Sequence, residues 1–234
     1  MRTMETNKLW YLKRINLFHC LSSEELDRLG ELAQHRSYQR RQIIFDPQER
    51  GAAIYLLKQG RVKLSRFDER GKELTLAILE EGEFFGEEAL LGEERRLGYA
   101  EALDDVKLCR VPVGEFERLM GENSELSMAV SKQLGGRLLG AQTQFETLAF
   151  RDVTERLAAA LVQLAERNGS QEENGGIRID LQLTHQEIAS LVASTRETTT
   201  TLLGKLKRDG LIRAAGRFLV VQDLEALRAL SRGR

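Results

Sequence analysis

Apolar residues between about Ser37 and Pro112 come in short runs separated by turn residues. The runs read "QIIF", "AIYLL", "RVKLSRF", "ELTLAIL" and "VKLCRV", and glycines stand between them at Gly51, Gly60, Gly71, Gly82 and Gly92. Short β-branched and aromatic runs at roughly ten-residue spacing are typical of an antiparallel sandwich or barrel. The pattern therefore predicts an antiparallel β-domain. A short helix over residues 22 to 34 should precede it, because Ser22 and Glu25 have the spacing of a capping box.

The pattern becomes helical after Val113. Apolar residues there are spaced by four and three positions, as in a heptad repeat, at Leu134, Leu138, Ala141, Phe145 and Leu148. Glycines at positions 135, 136 and 140 each cost about 1 kcal/mol in a helix interior, which favours a close approach of another backbone as compensation. We expect the five residues to form a dimer interface with the same helix of a second chain. Packing of this helix on its own β-domain is the alternative.

The sequence after this seam indicates a second domain. Asp152 and Glu155 have capping-box spacing, so a new helix should begin there, and residues 150 to 153 are expected to form a hinge. The polar segment "NGSQEENGG", residues 168 to 176, is expected to be a loop. We therefore divide the chain into a β-domain with flanking helices over residues 1–114, a dimerisation helix over residues 115–150 and a C-terminal domain over residues 151–234.

The segment "LTHQEIASLVASTRETTTTLLGKLKRDGLI" predicts two short helices joined by a tight turn. Thr184 and Glu187 have capping-box spacing for the first helix, whose apolar face is formed by Ile188, Leu191 and Val192. The second helix should begin at Ser194 or Thr195 and end at Gly210. The following "IRAAGRFLVV" is typical of two small strands that form a β-wing. This order of elements predicts a winged helix-turn-helix.

The second helix of this motif has two different faces. Its inward stripe is Thr199, Leu202, Leu203 and Leu206, which places Arg196 with Thr200, and Glu197 with Thr201, on the opposite face. An arginine can bind guanine with two hydrogen bonds, a carboxylate can accept from cytosine, and threonines suit phosphates and thymine methyl groups. Base contact is the favoured interpretation. The alternatives are a capping box between Ser194 and Glu197, and a solvated surface charge at Arg196.

Composition and charge fit this interpretation. The chain has 234 residues, 41% hydrophobic and 30% charged, which allows two modest globular domains. Its net charge is −1, but from Asp180 onward nine basic residues stand against six acidic ones, so this part carries +3 and the rest −4. A basic cluster around one helix is the pattern that a nucleic-acid surface needs. Neither a membrane span nor a signal peptide is expected, which predicts a cytoplasmic protein.

Metal and haem sites are not expected. Cys20 and Cys109 are too few for an iron-sulfur cluster and are expected to be reduced, structural thiols. The three histidines, His19, His35 and His185, lie in unrelated parts of the sequence and give no set of axial haem ligands. His185 begins the first helix of the helix-turn-helix and is expected near a DNA phosphate.

In the order of its parts, the chain resembles the cyclic-AMP receptor protein and fumarate-nitrate-reductase regulator (CRP/FNR) superfamily of bacterial transcription factors. The resemblance spans residues 15 to 225, and "LAFRDVTERLA" is similar to the hinge of that family. It implies an α+β fold with an N-terminal, jelly-roll-like antiparallel β-roll, a long dimerisation helix and a C-terminal winged helix-turn-helix. It also implies a homodimer that binds a palindromic operator in double-stranded DNA and contacts RNA polymerase, without any membrane partner.

The resemblance also assigns site residues. Arg196 and Glu197 match the guanine- and cytosine-reading pair of the family, while Thr201 replaces a further arginine of the cyclic-AMP branch. The residues expected at the DNA surface are Arg196, Glu197, Thr198, Thr200, Thr201, Thr184, His185 and Lys205. Because Thr201 differs from the cyclic-AMP branch, we do not expect the operator sequence to be identical to that of this branch.

The segment "FFGEEALLGEERRLGYAEAL" resembles the phosphate-binding cassette of the family. A Gly-Glu turn and an arginine can bind a cyclic phosphate through backbone N–H groups and the guanidinium, and the carboxylate can accept from the ribose hydroxyl. The residues expected to line an effector site are Gly86, Glu87, Glu88, Ala89, Arg96, Leu97, Arg137 and Gln142. Leu97 stands where the cyclic-AMP branch has a hydroxyl residue. Three interpretations stay open: cyclic AMP or another cyclic nucleotide bound with altered contacts, no effector, or another small ligand.

Three classes of function can be compared. The favoured hypothesis is a homodimeric, sequence-specific transcription regulator, an activator by resemblance, with an effector-independent activator as its variant. A nucleotide-binding regulatory module without DNA affinity is the alternative from another class. An enzyme is not expected, because no Ser/His/Asp set, metal-ligand cluster or Walker loop is present in the sequence.

Overall fold

The structure, a computed structural model, describes residues 16–19, 21–173 and 175–233. The expectation for Cys20 lies outside these residues. The chain splits into two compact units, one that ends with Phe67 and resumes over Leu76–Leu139, and one that comprises Asp68–Thr75 and Gly140–Arg234. The three-part division at residues 114 and 150 stays a prediction.

Two four-stranded antiparallel sheets form the β-domain. The strands are β1 (Gln34–Tyr38), β2 (Ile43–Phe45), β3 (Ala53–Gln59), β4 (Val62–Phe67), β5 (Glu73–Leu79), β6 (Phe84–Phe85), β7 (Tyr99–Ala102) and β8 (Val106–Pro112). Their order is β1-β8-β3-β6 in one sheet and β2-β7-β4-β5 in the other. The expected antiparallel β-domain is therefore confirmed, and the five apolar runs correspond to β2, β3, β4, β5 and β8.

Aromatic side chains fill the interior of the first unit. The rings of Tyr55 and Phe85 stack with centroids 5.0 Å apart, and Phe45 lies 5.5 Å from Tyr55. Phe84 and Phe116, both fully buried, belong to a neighbouring cluster. Helix α1 (Ser23–Leu32) contributes Leu26 and Leu29 to that cluster and begins with the expected capping box between Ser22 and Glu25.

The helical region after Val113 contains two helices where the sequence indicated one. Helix α2 (Val113–Glu122) ends at Asn123, and α3 (Ser124–Phe150) follows directly. The break has a local cause, because the side-chain oxygen of Asn123 accepts from the backbone N–H of Leu126 at 2.9 Å. An asparagine that accepts such a bond starts a new helix instead of continuing the old one.

The second unit contains the winged helix-turn-helix. Helix α4 (Val153–Asn168) begins with the expected capping box between Asp152 and Glu155. It is followed by β9 (Gly169–Gln171), β10 (Ile177–Ile179), α5 (His185–Leu191), α6 (Arg196–Arg208), β11 (Ile212–Ala215), β12 (Phe218–Val221) and α7 (Leu224–Ser231). Strands β11 and β12 form the expected wing, in a sheet of order β11-β12-β10-β9. The expectation of a loop from residue 168 was wrong for Gly169–Gln171, which pairs with β10.

Candidate nucleic-acid interface and effector cassette

The first turn of α6 presents two charged side chains to solvent. The N-cap of the helix is Thr195, whose side chain accepts from the N–H of Thr198 at 3.2 Å. Arg196 and Glu197 are thus the first two residues of the helix, and both are exposed. A capping box between Ser194 and Glu197 was the alternative, and it is wrong because the cap lies one residue later. Glu197 therefore does not cap the helix.

The opposite face of α6 is buried as the leucine pattern indicated. Thr199, Leu203 and Leu206 are at most 1% exposed, and Leu202 is half-buried. This face packs on α5, so the rotation of α6 about its own axis is determined by its apolar residues. Arg196 and Glu197 are therefore held on the outer face.

The four consecutive threonines of α6 have different partners. The hydroxyl of Thr198 accepts from that of Thr195 at 3.0 Å, and the hydroxyl of Thr201 donates to the carbonyl of Glu197 at 3.0 Å. Both side chains are exposed and keep free acceptor capacity toward solvent. Thr199 differs, because its Oγ1 is buried and has no hydrogen-bond partner among the described residues.

His185 connects the two helices of the motif. Its Nδ1 lies 2.8 Å from the hydroxyl of Thr200. Burial, and then the nearby charges of Lys207 and Arg196, hold the pKa of His185 below its ordinary value. The imidazole therefore favours its neutral form beside the cationic side chains of Lys207 and Arg196.

Two further residues that were expected at the DNA surface also lie on this motif. Thr184 is the N-cap of α5, and its hydroxyl accepts from the N–H of Glu187 at 3.2 Å. This hydroxyl therefore has a structural role that the expectation of a DNA contact did not include. Lys205 is exposed on α6.

The Gly-Glu turn of the cassette leads into a short 3-10 helix, Glu87–Leu91. Gly86 has a φ of 84°, a left-handed conformation that favours glycine. A Cβ at Gly86 would also lie 2.7 Å from Nη1 of Arg96 and 3.0 Å from the carbonyl oxygen of Ala53. Glycine is needed here because Arg96 packs directly against the turn.

Arg96 is buried, and both of its terminal nitrogens donate to protein oxygens, whereas its Nε has no partner among the described residues. It is 3% exposed, and its Nη1 donates to the carbonyl of Gly86 and to the carboxylate of Glu88, each at 3.1 Å. Its Nη2 donates to the carbonyl of Ala53 at 2.6 Å. The guanidinium also lies 4.6 Å from the ring centre of Phe45 and 5.2 Å from that of Tyr55.

Arg137 from α3 binds Glu87 and Phe84 of the cassette. Its Nη1 donates to Oε1 of Glu87 at 3.0 Å, and its Nη2 donates to the carbonyl of Phe84. Oε2 of Glu87 is buried and has no hydrogen-bond partner among the described residues. Glu87 therefore retains one free acceptor next to a cation.

Of the remaining expected effector residues, neither Ala89 nor Leu97 has a side-chain donor for a phosphate. Ala89 is buried, whereas Leu97 is 48% exposed and apolar. Gln142 is exposed on α3 and belongs to the second unit. The interactions of Arg96 with Ala53, Phe45 and Tyr55 were not predicted, because more than 40 residues separate the arginine from each of them and no local pattern indicates such a contact.

A cyclic nucleotide fits this arrangement in part. The free oxygen of Glu87 suits a ribose hydroxyl. The phosphate half fits less well, because three of the five N–H groups of the Arg96 guanidinium already donate to protein oxygens, Arg96 is buried and Leu97 has no donor. Only the Nε–H and one Nη2–H of Arg96 could bind a phosphate without displacing a protein acceptor.

The apolar residues of α3 are buried near the start of the helix and more exposed farther along it. Leu126 and Val130 are buried in the core of the β-domain, and Leu134 packs against that core. Packing on the chain's own β-domain, the alternative interpretation, is therefore correct for the first part of α3. Beyond it, Leu138 is 61% and Phe145 72% exposed in the single chain. Ala141 is exposed and Leu148 half-buried.

The described residues contain neither a cluster of metal ligands nor a membrane-spanning helix. No group of three or more His, Cys, Asp and Glu side chains in residues 16–19, 21–173 and 175–233 could hold a metal ion. In the same part of the chain, no helix combines the length and apolarity that crossing a bilayer requires. Cys109 is buried and lies 3.4 Å from Nδ1 of His35.

Two family models match the chain in the order of its domains. The cyclic nucleotide-binding domain matches residues 35–123, and the Crp-like helix-turn-helix domain matches residues 155–230. The chain is 37% identical over 213 residues to the global nitrogen regulator of Synechocystis sp., which covers 90% of this chain and 92% of that protein. It is 38% identical over 180 residues to the transcriptional regulator SdrP of Thermus thermophilus, covering 77% of this chain and 84% of that protein.

Solved structures show the same likeness. The transcriptional regulator TTHA1359 of the CRP/FNR family, from Thermus thermophilus, matches with a TM-score of 0.68 and 35% identity over 85% of this chain and 98% of that one. The c-di-GMP responsive regulator CLP of Xanthomonas campestris matches with a TM-score of 0.78 and 26% identity, over 86% of this chain and all of that one.

The fold and the helix-turn-helix define a transcription regulator with a nucleotide-binding type of β-roll and a DNA-binding domain. The relatives named above are transcription regulators, which agrees with the expectation of a protein that is not an enzyme. The chain belongs to the CRP/FNR family. Regulators of this family bind DNA and are dimers in their structures.

Proposed function

We propose that the chain acts in the cytoplasm as a homodimeric activator that binds a palindromic operator in double-stranded DNA and contacts RNA polymerase. One observation carries this proposal. Arg196 and Glu197 are exposed in the first turn of α6, and neither side chain has a hydrogen bond or ion pair with the described residues. Two adjacent, unpaired and opposite charges at a helix N-terminus suit base edges in the major groove.

The chemistry of the two residues determines what they read. The guanidinium of Arg196 can donate two hydrogen bonds to O6 and N7 of a guanine, and the carboxylate of Glu197 can accept from the amino group of a cytosine. Neighbouring exposed groups, namely Thr198, Thr200, Thr201, His185 and Lys205, suit phosphates and thymine methyl groups. Thr184 supports the same surface by capping α5.

A homodimer would present two copies of α6. In dimeric helix-turn-helix proteins the recognition helices lie about 34 Å apart, one turn of B-DNA, so half-sites should have that spacing. The exposed seam residues Leu138 and Phe145 support pairing through α3.

Base readout is tested with Arg196→Ala and a matched control. The variant should lower the ratio of operator to scrambled-DNA affinity by about fivefold to a hundredfold for each half-site, and by the square of that factor for the dimer, and relax specificity at one guanine per half-site. Arg208→Ala removes the same charge from the last turn of α6 and should leave the ratio nearly unchanged. A wild-type ratio in Arg196→Ala would contradict the proposal.

The salt dependence of binding separates the proposal from a nucleotide-binding module without DNA affinity. Phosphate contacts make log affinity fall linearly with log salt, with a slope of about −0.9 per phosphate neutralised. We expect a steep slope for the full-length chain. No DNA binding at any salt concentration, with and without cyclic nucleotide, would favour the module.

Control by a small effector is tested separately. Calorimetric titration with cyclic AMP, alongside operator binding with and without it, reports whether the nucleotide binds and whether it changes DNA affinity. Because the buried guanidinium of Arg96 already donates to Ala53, Gly86 and Glu88, only its Nε–H and one Nη2–H are left for a cyclic phosphate. Operator affinity that is unchanged by the nucleotide would indicate the effector-independent form of the same function.

A further inference from the structure

The turn that leads into α6 is held by groups from outside the helix-turn-helix. It runs from Val192 to Thr195, and Ala193 has a φ of 52°, which is unfavourable for a residue with a Cβ. Carbonyl groups at the end of α5 lack partners within that helix. The carbonyl of Val192 accepts from Nε of Arg156 at 2.9 Å, and that of Ala193 accepts from Nζ of Lys72 at 3.2 Å.

Lys72 lies in Asp68–Thr75, a segment that belongs to the second unit although it precedes α5 by more than 100 residues. The same segment is joined to α5 itself. The hydroxyls of Thr75 and Ser190 lie 2.8 Å apart, and the two residues are 1% and 0% exposed. A third attachment comes from α3, where Nε2 of Gln144 donates to the carbonyl of Thr75 at 3.1 Å.

A second hydrogen bond of Ser190 determines which hydroxyl is the donor in the contact between Thr75 and Ser190. The hydroxyl of Ser190 donates its single hydrogen to the carbonyl of Glu187 at 2.9 Å. It can therefore only accept from Thr75, whose hydroxyl is the donor. Without Ser190, the Thr75 hydroxyl would be buried with no acceptor for its hydrogen, an unfavourable arrangement that makes this contact strongly preferred.

The segment Asp68–Thr75 binds both Ser190 of α5 and Ala193 of the turn. These contacts hold α5 and the turn in a fixed position relative to each other. Since α6 begins three residues after Ala193, the turn sets the direction in which Arg196 and Glu197 project. Hydrogen bonds to base edges need donor–acceptor distances of roughly 2.7–3.2 Å and near-linear angles, so a small rotation of α6 would weaken them.

We propose that Thr75, Ser190 and Lys72 are positioning residues for operator recognition, which orient α6 without touching DNA. The inference rests on the proposed function, because it assumes that α6 reads bases. Thr75 and Ser190 are buried and cannot reach DNA. Lys72 is exposed, so a direct phosphate contact is the competing explanation for that residue.

The hydroxyl pair is tested in the full-length chain with Thr75→Val, Ser190→Ala and the double variant. Ser190→Ala should lower the ratio of operator to scrambled-DNA affinity by about fivefold and also lower the midpoint of thermal unfolding. Thr75→Val should unfold close to the wild type, because the bond from Ser190 to Glu187 remains. In the double variant the unfolding midpoint should return toward wild type, since both polar partners are gone.

The specificity of the double variant distinguishes positioning from simple stabilisation. If the pair orients α6, the affinity ratio stays about fivefold below wild type although stability has recovered. A double variant with wild-type stability and a wild-type ratio would show that the pair only stabilises the fold, and would overturn the proposal for Thr75 and Ser190.

Lys72 is tested against Arg70, an exposed cation in the same segment. Lys72→Met should lower operator affinity more than scrambled-DNA affinity without changing the salt slope, and Lys72→Arg should restore it. Arg70→Met removes the same charge and should leave the affinity ratio unchanged. A salt slope reduced by about one unit in Lys72→Met, with equal losses on both DNAs, would instead show a phosphate contact.

The wild-type chain separates failure of this inference from failure of the proposed function. If the wild type shows no preference for operator over scrambled DNA, the proposed function fails. If it shows that preference and every variant keeps it, only the positioning role is overturned.

Discussion

The hydroxyl of Thr200 on α6 lies 2.8 Å from Nδ1 of His185, the first residue of α5. This contact joins the start of one helix of the motif to the exposed side of the other. It lies next to Arg196 and Lys207, whose charges, together with burial, lower the pKa of His185. The protonation state of one imidazole is therefore coupled to the folding of the helix-turn-helix.

This coupling predicts a pH dependence of stability. The ordinary histidine pKa is about 6.5, and the folded value is lower, so the unfolded chain binds a proton more readily. The contribution of His185 is complete above the unfolded pKa and is lost as the pH falls through that value toward the folded pKa. Urea denaturation should therefore show a smaller loss of unfolding free energy between pH 7.5 and pH 5.5 in His185→Gln than in the wild type.

The control for this prediction is Thr198→Gln, which changes an exposed position of α6 that carries no titratable group. It should keep the wild-type difference between the two pH values. Equal pH dependence in the wild type and His185→Gln would contradict the coupling.

The buried hydroxyl of Thr199 predicts a stabilising substitution. Its Oγ1 has no partner among the described residues, and the residue is fully buried. Thr199→Val keeps the shape of the side chain and removes this polar group, so we expect the free energy of unfolding to rise by about 1 kcal/mol. Chemical denaturation measures the change.

Thr198→Val provides the comparison, because Thr198 is exposed in the same turn. Surface substitutions of this kind usually change stability by less than about 0.5 kcal/mol. A Thr199→Val variant less stable than the wild type would mean that the hydroxyl has a stabilising partner in solution.

The sequence predicted those elements whose residues signal them locally. Strands β3 and β8 are apolar and were found, whereas β1, "QHRSY", is polar with four of its five residues exposed and gave no signal. Strand β6 has two residues, and β9 begins with Gly169 in a segment whose composition favours a loop. These segments become strands because they pair with neighbouring strands. The sequence of one segment alone does not reveal its pairing partner.

The candidate sites likewise contain features that the local sequence predicts and contacts that it does not. The outward position of Arg196 and Glu197 follows from the periodicity of the leucines on the same helix, so sequence was sufficient. Ser194 and Thr195 are both good N-cap residues, so only the structure decides between them. The interactions of Arg96 and of Thr75 join residues that are far apart in the sequence, which explains why no motif indicated them.

Arg96 predicts a large loss of stability on truncation. Its guanidinium is buried beside the rings of Phe45 and Tyr55 and donates to Gly86, Ala53 and Glu88. Arg96→Met leaves two carbonyls and a carboxylate without their donor, and such losses cost about 3 kcal/mol or more. Thermal or urea unfolding should show this loss. Arg95→Met, at an exposed neighbouring position, should remain within about 0.5 kcal/mol of the wild type.

A loss smaller than about 1 kcal/mol in Arg96→Met would contradict this interpretation. It would mean that the guanidinium is not committed to these carbonyls in solution and is available to an effector. The experiment therefore also informs the choice between the open interpretations of the cassette.

The seam on α3 predicts the oligomeric state. Phe145 is 72% exposed in the single chain, although a phenylalanine at a heptad position normally packs against a partner helix. Phe145→Asp places a carboxylate in that contact, and an unpaired buried charge is strongly unfavourable. We expect sedimentation equilibrium to show a shift from dimer to monomer.

Thr143→Asp introduces the same charge on the opposite face of the helix and should remain a dimer. Circular dichroism should show that both variants keep their helix content, because residue 145 lies outside the core of its own chain. Since a palindromic operator needs two copies of α6, the monomeric variant should also lose most of its operator affinity while its scrambled-DNA affinity falls less. A Phe145→Asp chain that stays dimeric would show that the two subunits meet through another surface.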